Sequence, residues 1–318
     1  MNIKSKENRR YPKHGKENDI ALDVDILRRL LAKKRVTVFL VTVFSLTAIV
    51  LVGMSKSDVF EAIGFLALGW SPAVAAFLTI LVTGGKLTDL GFRKSRPRFL
   101  LLSIGLAWFL VVTVYGTAWL TGLGGFYDPS FVSNARDTFN ISAASPLGVI
   151  AISCGIYGTI GILFASVLAL GEEIGWRGLL VPELSRFTSF TKTALLSGGI
   201  WALWHFPMIL FFGYHSKAPI WYGLVCASTA MVLVSFPYAW LRLMSGSVWA
   251  VALLHGAHNV LFQEIFHPLT VDTGITEYVV GEFGALVILP VAFIVWLVFR
   301  NRHRIPSLAL KDKKPERL

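Results

Sequence analysis

Hydropathy along the chain alternates between long apolar runs and short polar ones, and the apolar runs have the length of a bilayer crossing. A helix needs roughly 20 apolar residues to span about 30 Å of hydrocarbon. Eight stretches meet that measure, at about 36–54, 62–84, 99–121, 147–171, 192–213, 219–241, 247–265 and 279–299. The pattern predicts an all-α fold, a polytopic membrane helical bundle of about eight transmembrane helices. The fourth helix is expected to run on through Glu172 to about Pro182; a span taken as 161–184 puts Glu172 near mid-depth. Pro207 sits inside the fifth run and deprives the Leu203 carbonyl of its helical donor, so a kink is expected there. Gly155, Gly158 and Gly161 line the fourth run, where small residues let helices approach closely.

The flanks read differently. Residues 18–35 have the pattern of an amphipathic helix lying in the membrane interface, preceded by seventeen polar residues expected to be disordered. That polar lead is too long for a cleaved signal peptide, so the first span reads as a signal anchor. The chain divides into a basic cytoplasmic tail (1–35), a transmembrane core (36–300) and a second basic tail (301–318). No internal repeat is visible.

Composition supports the membrane reading. Of 318 residues, 54% are hydrophobic and only 15% charged, with a mean hydropathy of +0.63, where a soluble protein carries about a quarter charged residues. The net charge of +11 could suggest nucleic acid, but eleven Lys and Arg fall in 1–35 and seven more in 300–318. Such juxtamembrane clusters face an anionic cytoplasmic leaflet, so nucleic acid is excluded as a partner and the lipid bilayer takes its place. Lys86, Arg93, Lys94, Arg96 and Arg98 follow the second span, Arg177, Arg186 and Lys192 surround the end of the fourth, and Arg242 follows the sixth. The alternate loops hold only Lys56, Arg136 and Lys217, and 264–282 has four acids and no Lys or Arg. Both termini are therefore expected in the cytoplasm of a multi-pass protein of the cell membrane. Cys154 and Cys226 lie in apolar runs and read as buried small hydrophobes, not as a disulfide or metal framework.

Against this background a few polar residues stand out. An ionisable group at mid-bilayer costs roughly 2.5–3.5 kcal/mol on insertion scales, yet "LALGEEIGWRGLLVPEL" carries Glu172, Glu173 and Arg177. Glu173 and Arg177, at i and i+4, can neutralise each other, which makes a structural role the simpler account of that pair. Glu172 has Trp176 at i+4, so its carboxylate must find a partner on another helix. His205 lies in "GGIWALWHFPMIL", and His255, His258 and Asn259 in "SVWAVALLHGAHNVLFQ". His255 and Asn259 share a helix face. A single membrane His is as readily an interhelical hydrogen bond as a catalyst, and His258 reads as packing. The joint occurrence of Glu172, His205, His255 and Asn259 on three spans instead points to one polar cavity.

The chemistry open to that set is narrow. The chain has no Gly-x-Ser-x-Gly elbow, no Cys near a His and no His-Glu-x-x-His run. A carboxylate beside a His can activate water, and a His with an Asn can donate hydrogen bonds to the oxyanion formed at an attacked carbonyl. The set suits hydrolysis of amides.

At these residues the sequence resembles the CAAX protease and bacteriocin-processing (CPBP, or Abi) family of intramembrane endopeptidases. The family's Glu-Glu-x-x-x-Arg motif is matched by Glu172, Glu173 and Arg177, and its His-x-x-x-Asn motif by His255 and Asn259. Its Phe-x-x-x-His motif is answered by Trp201 and His205, with Trp in place of Phe. The resemblance covers roughly 145–263. It implies that Glu172 and His205 activate water, that His255 and Asn259 stabilise the oxyanion, and that Glu173 and Arg177 support them. It implies a membrane-embedded or membrane-associated peptide or protein as substrate. No cofactor is firmly implied. A zinc held by Glu172, His205 and His255 is the alternative, disfavoured because Asn is a poor zinc ligand and a good oxyanion donor. Two other readings stand beside the protease: a silent immunity or regulatory partner on the same fold, and a transporter using Glu and His as proton relays. Against these stand, respectively, the complete motif set and the lack of an inverted repeat.

Overall fold

The computed structural model describes residues 14–56, 58–142 and 144–305. Residues 1–13 and 306–318, which hold most of the expected disordered lead and of the second basic tail, lie outside the described residues. The fold is an all-α bundle. In chain order its elements are α1 (His14–Met54), α2 (Asp58–Thr83), α3 (Pro97–Thr121), β1 (Gly125–Phe126), α4 (Pro129–Phe139) and α5 (Pro146–Ser185). Then follow α6 (Phe190–Phe211), α7 (Ile220–Ser245), α8 (Val248–Asn259, carried on by a π-helical stretch Val260–Phe266), β2 (Thr270–Val271), α9 (Thr276–Val279) and α10 (Ile288–Asn301).

Six of these helices, α1, α2, α3, α5, α6 and α7, are long and apolar enough to cross a membrane. The seventh predicted run is helical, as α8. The eighth is shorter than expected: residues 280–287 form turns, and helix begins only at Ile288. The interfacial helix is not a separate element either, since α1 runs without a break from His14 into the first span. The fourth run continues past Glu172 to Ser185, as its apolar pattern predicted, and α6 continues as helix through Pro207 to Phe211.

Close packing fixes α5 at the centre of the bundle. A Cβ on Gly171 or Gly175 would collide with Gly69, Trp70 and Pro72 of α2, and one on Gly256 with the Ser166 backbone. These glycines bring α2 and α8 against α5 at backbone distance. Of the expected glycines, Gly155 and Gly158 meet nothing within 4 Å, while a Cβ on Gly161 would lie 3.7 Å from Val260 in the continuation of α8. Two π-helical stretches interrupt α5, Tyr157–Gly161 and Ile174–Leu180, and the second begins directly after Glu173. A π-helical stretch also follows Asn259. Such wide turns recur at functional sites because they re-aim side chains within an otherwise regular helix.

Aromatic contacts complete the core. Trp176 meets Phe39 of α1 edge-on at 5.5 Å and Trp204 of α6 at 5.7 Å, in the geometry that the ring quadrupoles favour. Trp119 stacks on Phe266 at 5.6 Å, next to the antiparallel β1–β2 pair that joins Gly125 to Val271 and Phe126 to Thr270. Both cysteines are free.

Candidate active site

Glu172 of α5, His205 of α6, and His255 and Asn259 of α8 line one cavity. Its remaining wall comes from apolar side chains of α7 and α10, including Met231, Val234 and Val291, and from Tyr214 and Glu282 in the loops. The convergence follows from packing: the same glycine contacts that draw α8 onto α5 set His255 opposite the Glu172–Glu173 turn.

Glu172, His205 and His255 each have a specific partner. The indole N–H of Trp201 donates to Glu172 Oε2 at 2.8 Å, the interhelical partner that the carboxylate required. Among the described residues Oε1 accepts no protein hydrogen bond, so one carboxylate oxygen is left to the cavity. His205 Nδ1 lies 2.9 Å from the Trp201 carbonyl. A carbonyl can only accept, so Nδ1 carries the proton and Nε2 is left as the ring's free polar atom. Trp201 therefore holds both members of the expected water-activating pair, one with its indole and one with its backbone. Trp takes the place of the motif's Phe, and only the Trp ring has an N–H to offer Glu172.

The second carboxylate does more than neutralise an arginine. Glu173 Oε1 accepts from Arg177 at 2.9 Å and from His255 Nδ1–H at 2.8 Å. Glu173 is 0% exposed and Arg177 1%, so this triad is buried throughout. The Arg177 guanidinium lies over the Trp201 and Tyr238 rings at 4.3 and 4.6 Å and donates to Ser235 Oγ at 3.3 Å. Glu173 thus orients His255, leaving its Nε2 for the cavity, while Arg177 offsets the carboxylate charge. Removing one partner of such a buried pair typically costs about 3–5 kcal/mol.

His258, expected to pack, stacks on Phe262 at 4.4 Å but also places Nε2 3.2 Å from Glu282 Oε1. Tyr214 and Gln263 donate to the same carboxylate at 3.1 and 3.0 Å. Sequence reasoning missed Glu282, Tyr214 and Gln263. Glu282 and Gln263 fall near the ends of the predicted runs 279–299 and 247–265, where a polar side chain reads as interfacial, and Tyr214 falls in the loop after the fifth run.

Among the described residues no three His, Cys, Asp or Glu side chains are grouped as a metal ion requires. Glu172, His205 and His255 each have one donor atom bonded to protein and keep the other, Oε1 or Nε2, for a ligand in the cavity.

Residues 155–261 match the family described as type II CAAX prenyl endopeptidase Rce1-like. The chain is also 30% identical over 140 residues to CAAX prenyl protease 2 of Methanococcus maripaludis, an alignment covering 42% of this chain and 49% of that protein. The chain thus spans about half the length of the curated relative it matches. The matched segment contains Glu172, Trp201, His205, His255 and Asn259. The segment that carries the three motifs is therefore similar to Rce1-like CAAX prenyl endopeptidases, in line with the family its motifs resemble.

Proposed function

We propose that this protein is an endopeptidase that hydrolyses peptide bonds inside the cell membrane, with water activated by Glu172 and His205. The supporting observation is that side chains of all three motifs, from α5, α6 and α8, line one cavity. In this reading a water accepts a hydrogen bond from the peptide side of the cavity and donates to His205 Nε2 and to the free oxygen of Glu172. As the water oxygen bonds to the scissile carbonyl carbon, Glu172 takes its proton. The carbonyl oxygen becomes an oxyanion and receives hydrogen bonds from the Asn259 amide and from His255 Nε2–H when that ring carries both protons. Collapse breaks the C–N bond, and the proton held by Glu172 passes to the departing nitrogen.

The name of the archaeal relative suggests a first probe, a prenylated peptide ending in a CAAX sequence, although the cavity sets no more than a membrane-associated peptide. Purified protein in proteoliposomes would be given a farnesylated, internally quenched CAAX peptide, with comparative membrane peptidomics as a wider screen. Glu172→Gln keeps the size and the Trp201 hydrogen bond but removes the basic oxygen, so cleavage should fall by on the order of 10³ or more. Wild-type protein that yields no product in either assay, or a well-folded Glu172→Gln that cleaves normally, would overturn the reading. One zinc per chain by elemental analysis, with activity lost on its removal, would replace it with the metal-dependent version.

A further inference from the structure

The end of the bundle that carries the α2–α3, α5–α6 and α7–α8 connections holds a second concave site that the peptidase reading does not use. It is lined by Arg93, Lys94, Arg96, Arg98, Arg186 and Arg242. The only acid on it is Asp89, whose Oδ2 accepts from the Lys86 backbone N–H. Of the six cations only Arg186 has a carboxylate partner among the described residues, Glu183 at 3.1 Å.

Arg242 is the informative residue. It is 7% exposed, its Nε is buried without an acceptor, and among the described residues its side chain makes one hydrogen bond, a long one of 3.5 Å to the Asp89 carbonyl. Its guanidinium rests on the bare backbone of Gly91, where a Cβ would lie 2.5 Å from the terminal nitrogen. Gly91 has φ +87°, a conformation that other residues rarely adopt. The frame around it is rigid: Val248 N–H donates to the Gly91 carbonyl at 2.9 Å, Ser247 Oγ to the Arg93 carbonyl at 2.7 Å, and the Trp249 indole to the Phe92 carbonyl at 3.2 Å.

A positive-inside signal needs cations in solvent on one side of the membrane. It does not need an arginine buried beside other cations with a donor unpaired, an arrangement that is costly without an anion. We propose that this site binds a phosphate group, held by Arg242 from below and by Arg93 and its neighbours from the rim, and supplied by the headgroup of an anionic phospholipid. Guanidinium forks match phosphate oxygens in pairs. The loop charges place this end of the bundle at the cytoplasmic leaflet, where such headgroups are concentrated.

The test follows the thermal unfolding of the purified full chain in neutral detergent, with added phosphatidylglycerol, phosphatidylcholine or inorganic phosphate. Phosphatidylglycerol should raise the wild-type midpoint by about 3 °C or more, and phosphatidylcholine should not. Arg242→Gln should lose most of that gain. Arg93→Gln, at an exposed position that folding tolerates, should lose a large part of it. Arg300→Gln, which removes one charge near the same leaflet but outside the site, should keep it. An equal shift with millimolar inorganic phosphate would retain the phosphate site and assign it to a free phosphorylated ligand. The proposal fails if phosphatidylglycerol and phosphatidylcholine act alike with inorganic phosphate inert, if Arg93→Gln responds as wild type does, or if Arg300→Gln loses as much as Arg93→Gln.

Discussion

The two polar ends of this bundle treat charge in opposite ways. At the cavity, charged groups come in reciprocal sets: Glu172 with Trp201, Glu173 with Arg177 and His255, and Glu282 with His258, Tyr214 and Gln263. At the basic end, Arg93, Lys94, Arg96, Arg98 and Arg242 share one groove with no carboxylate partner among the described residues. The first arrangement fixes side chains in place before any ligand arrives, as a reaction site needs. The second leaves positive charge to be met from outside. In the readings proposed above, unpaired charge would serve recognition and paired charge preorganisation.

The sharpest way to break the comparison is to ask whether the two ends face different compartments. In a background with Cys154 and Cys226 changed to Ala, an impermeant thiol reagent on intact cells should label Thr273→Cys and leave Thr88→Cys unlabelled. Labelling in the reverse pattern would exchange the two faces and remove the leaflet argument for the basic groove.

Within the cavity the effects should grade with distance from the reacting atoms. Asn259→Ala removes a donor that acts only as charge develops on the substrate oxygen. Turnover should fall on the order of 10²–10³ in steady-state assays while substrate binding stays within about twofold. A comparable loss of binding with unchanged turnover would take Asn259 out of the oxyanion role. Trp201→Phe restores the motif's usual residue and keeps a ring beneath Arg177, but it deletes the indole N–H held by Glu172. A hydrogen bond to a charged group contributes about 1.5–3 kcal/mol, so cleavage should drop roughly tenfold or more. An unchanged rate in well-folded protein would show that Glu172 is positioned by other means. His258→Ala should be the mildest. It frees Glu282 without touching the Glu172–His205 pair, and activity should stay above about a tenth of wild type, a barrier change of roughly 1.4 kcal/mol or less. If His258→Ala were as inactive as Glu172→Gln, the Glu282 cluster would have to be redrawn as part of the chemistry.

How much of this was legible in the chain depends on the range of the physics involved. Glu172, His205, His255 and Asn259 could be picked out because each is costly in hydrocarbon whatever its neighbours are. The Glu173–Arg177 contact could be anticipated because i and i+4 meet on any helix. The small-residue argument went astray at Gly155 and Gly158, since a glycine reports that close approach is allowed there and not that a partner helix comes. The eighth span was drawn too long because Val279, Val280 and the apolar residues after Glu282 score as membrane, while the backbone turns until Ile288.

The sequence by itself determined the helical bundle, the polar residues set within it and the distribution of basic loops. These follow from local apolar length, from the cost of burying charge and from the sign of each loop. The tertiary structure alone decided the partners. Trp201 reaches Glu172 across 29 residues of chain, Glu173 reaches His255 across 82, and Arg242 comes to rest on Gly91 with its Nε unpaired. A hydrogen bond depends on the distance between two atoms on different helices, and no periodicity within one helix carries that distance.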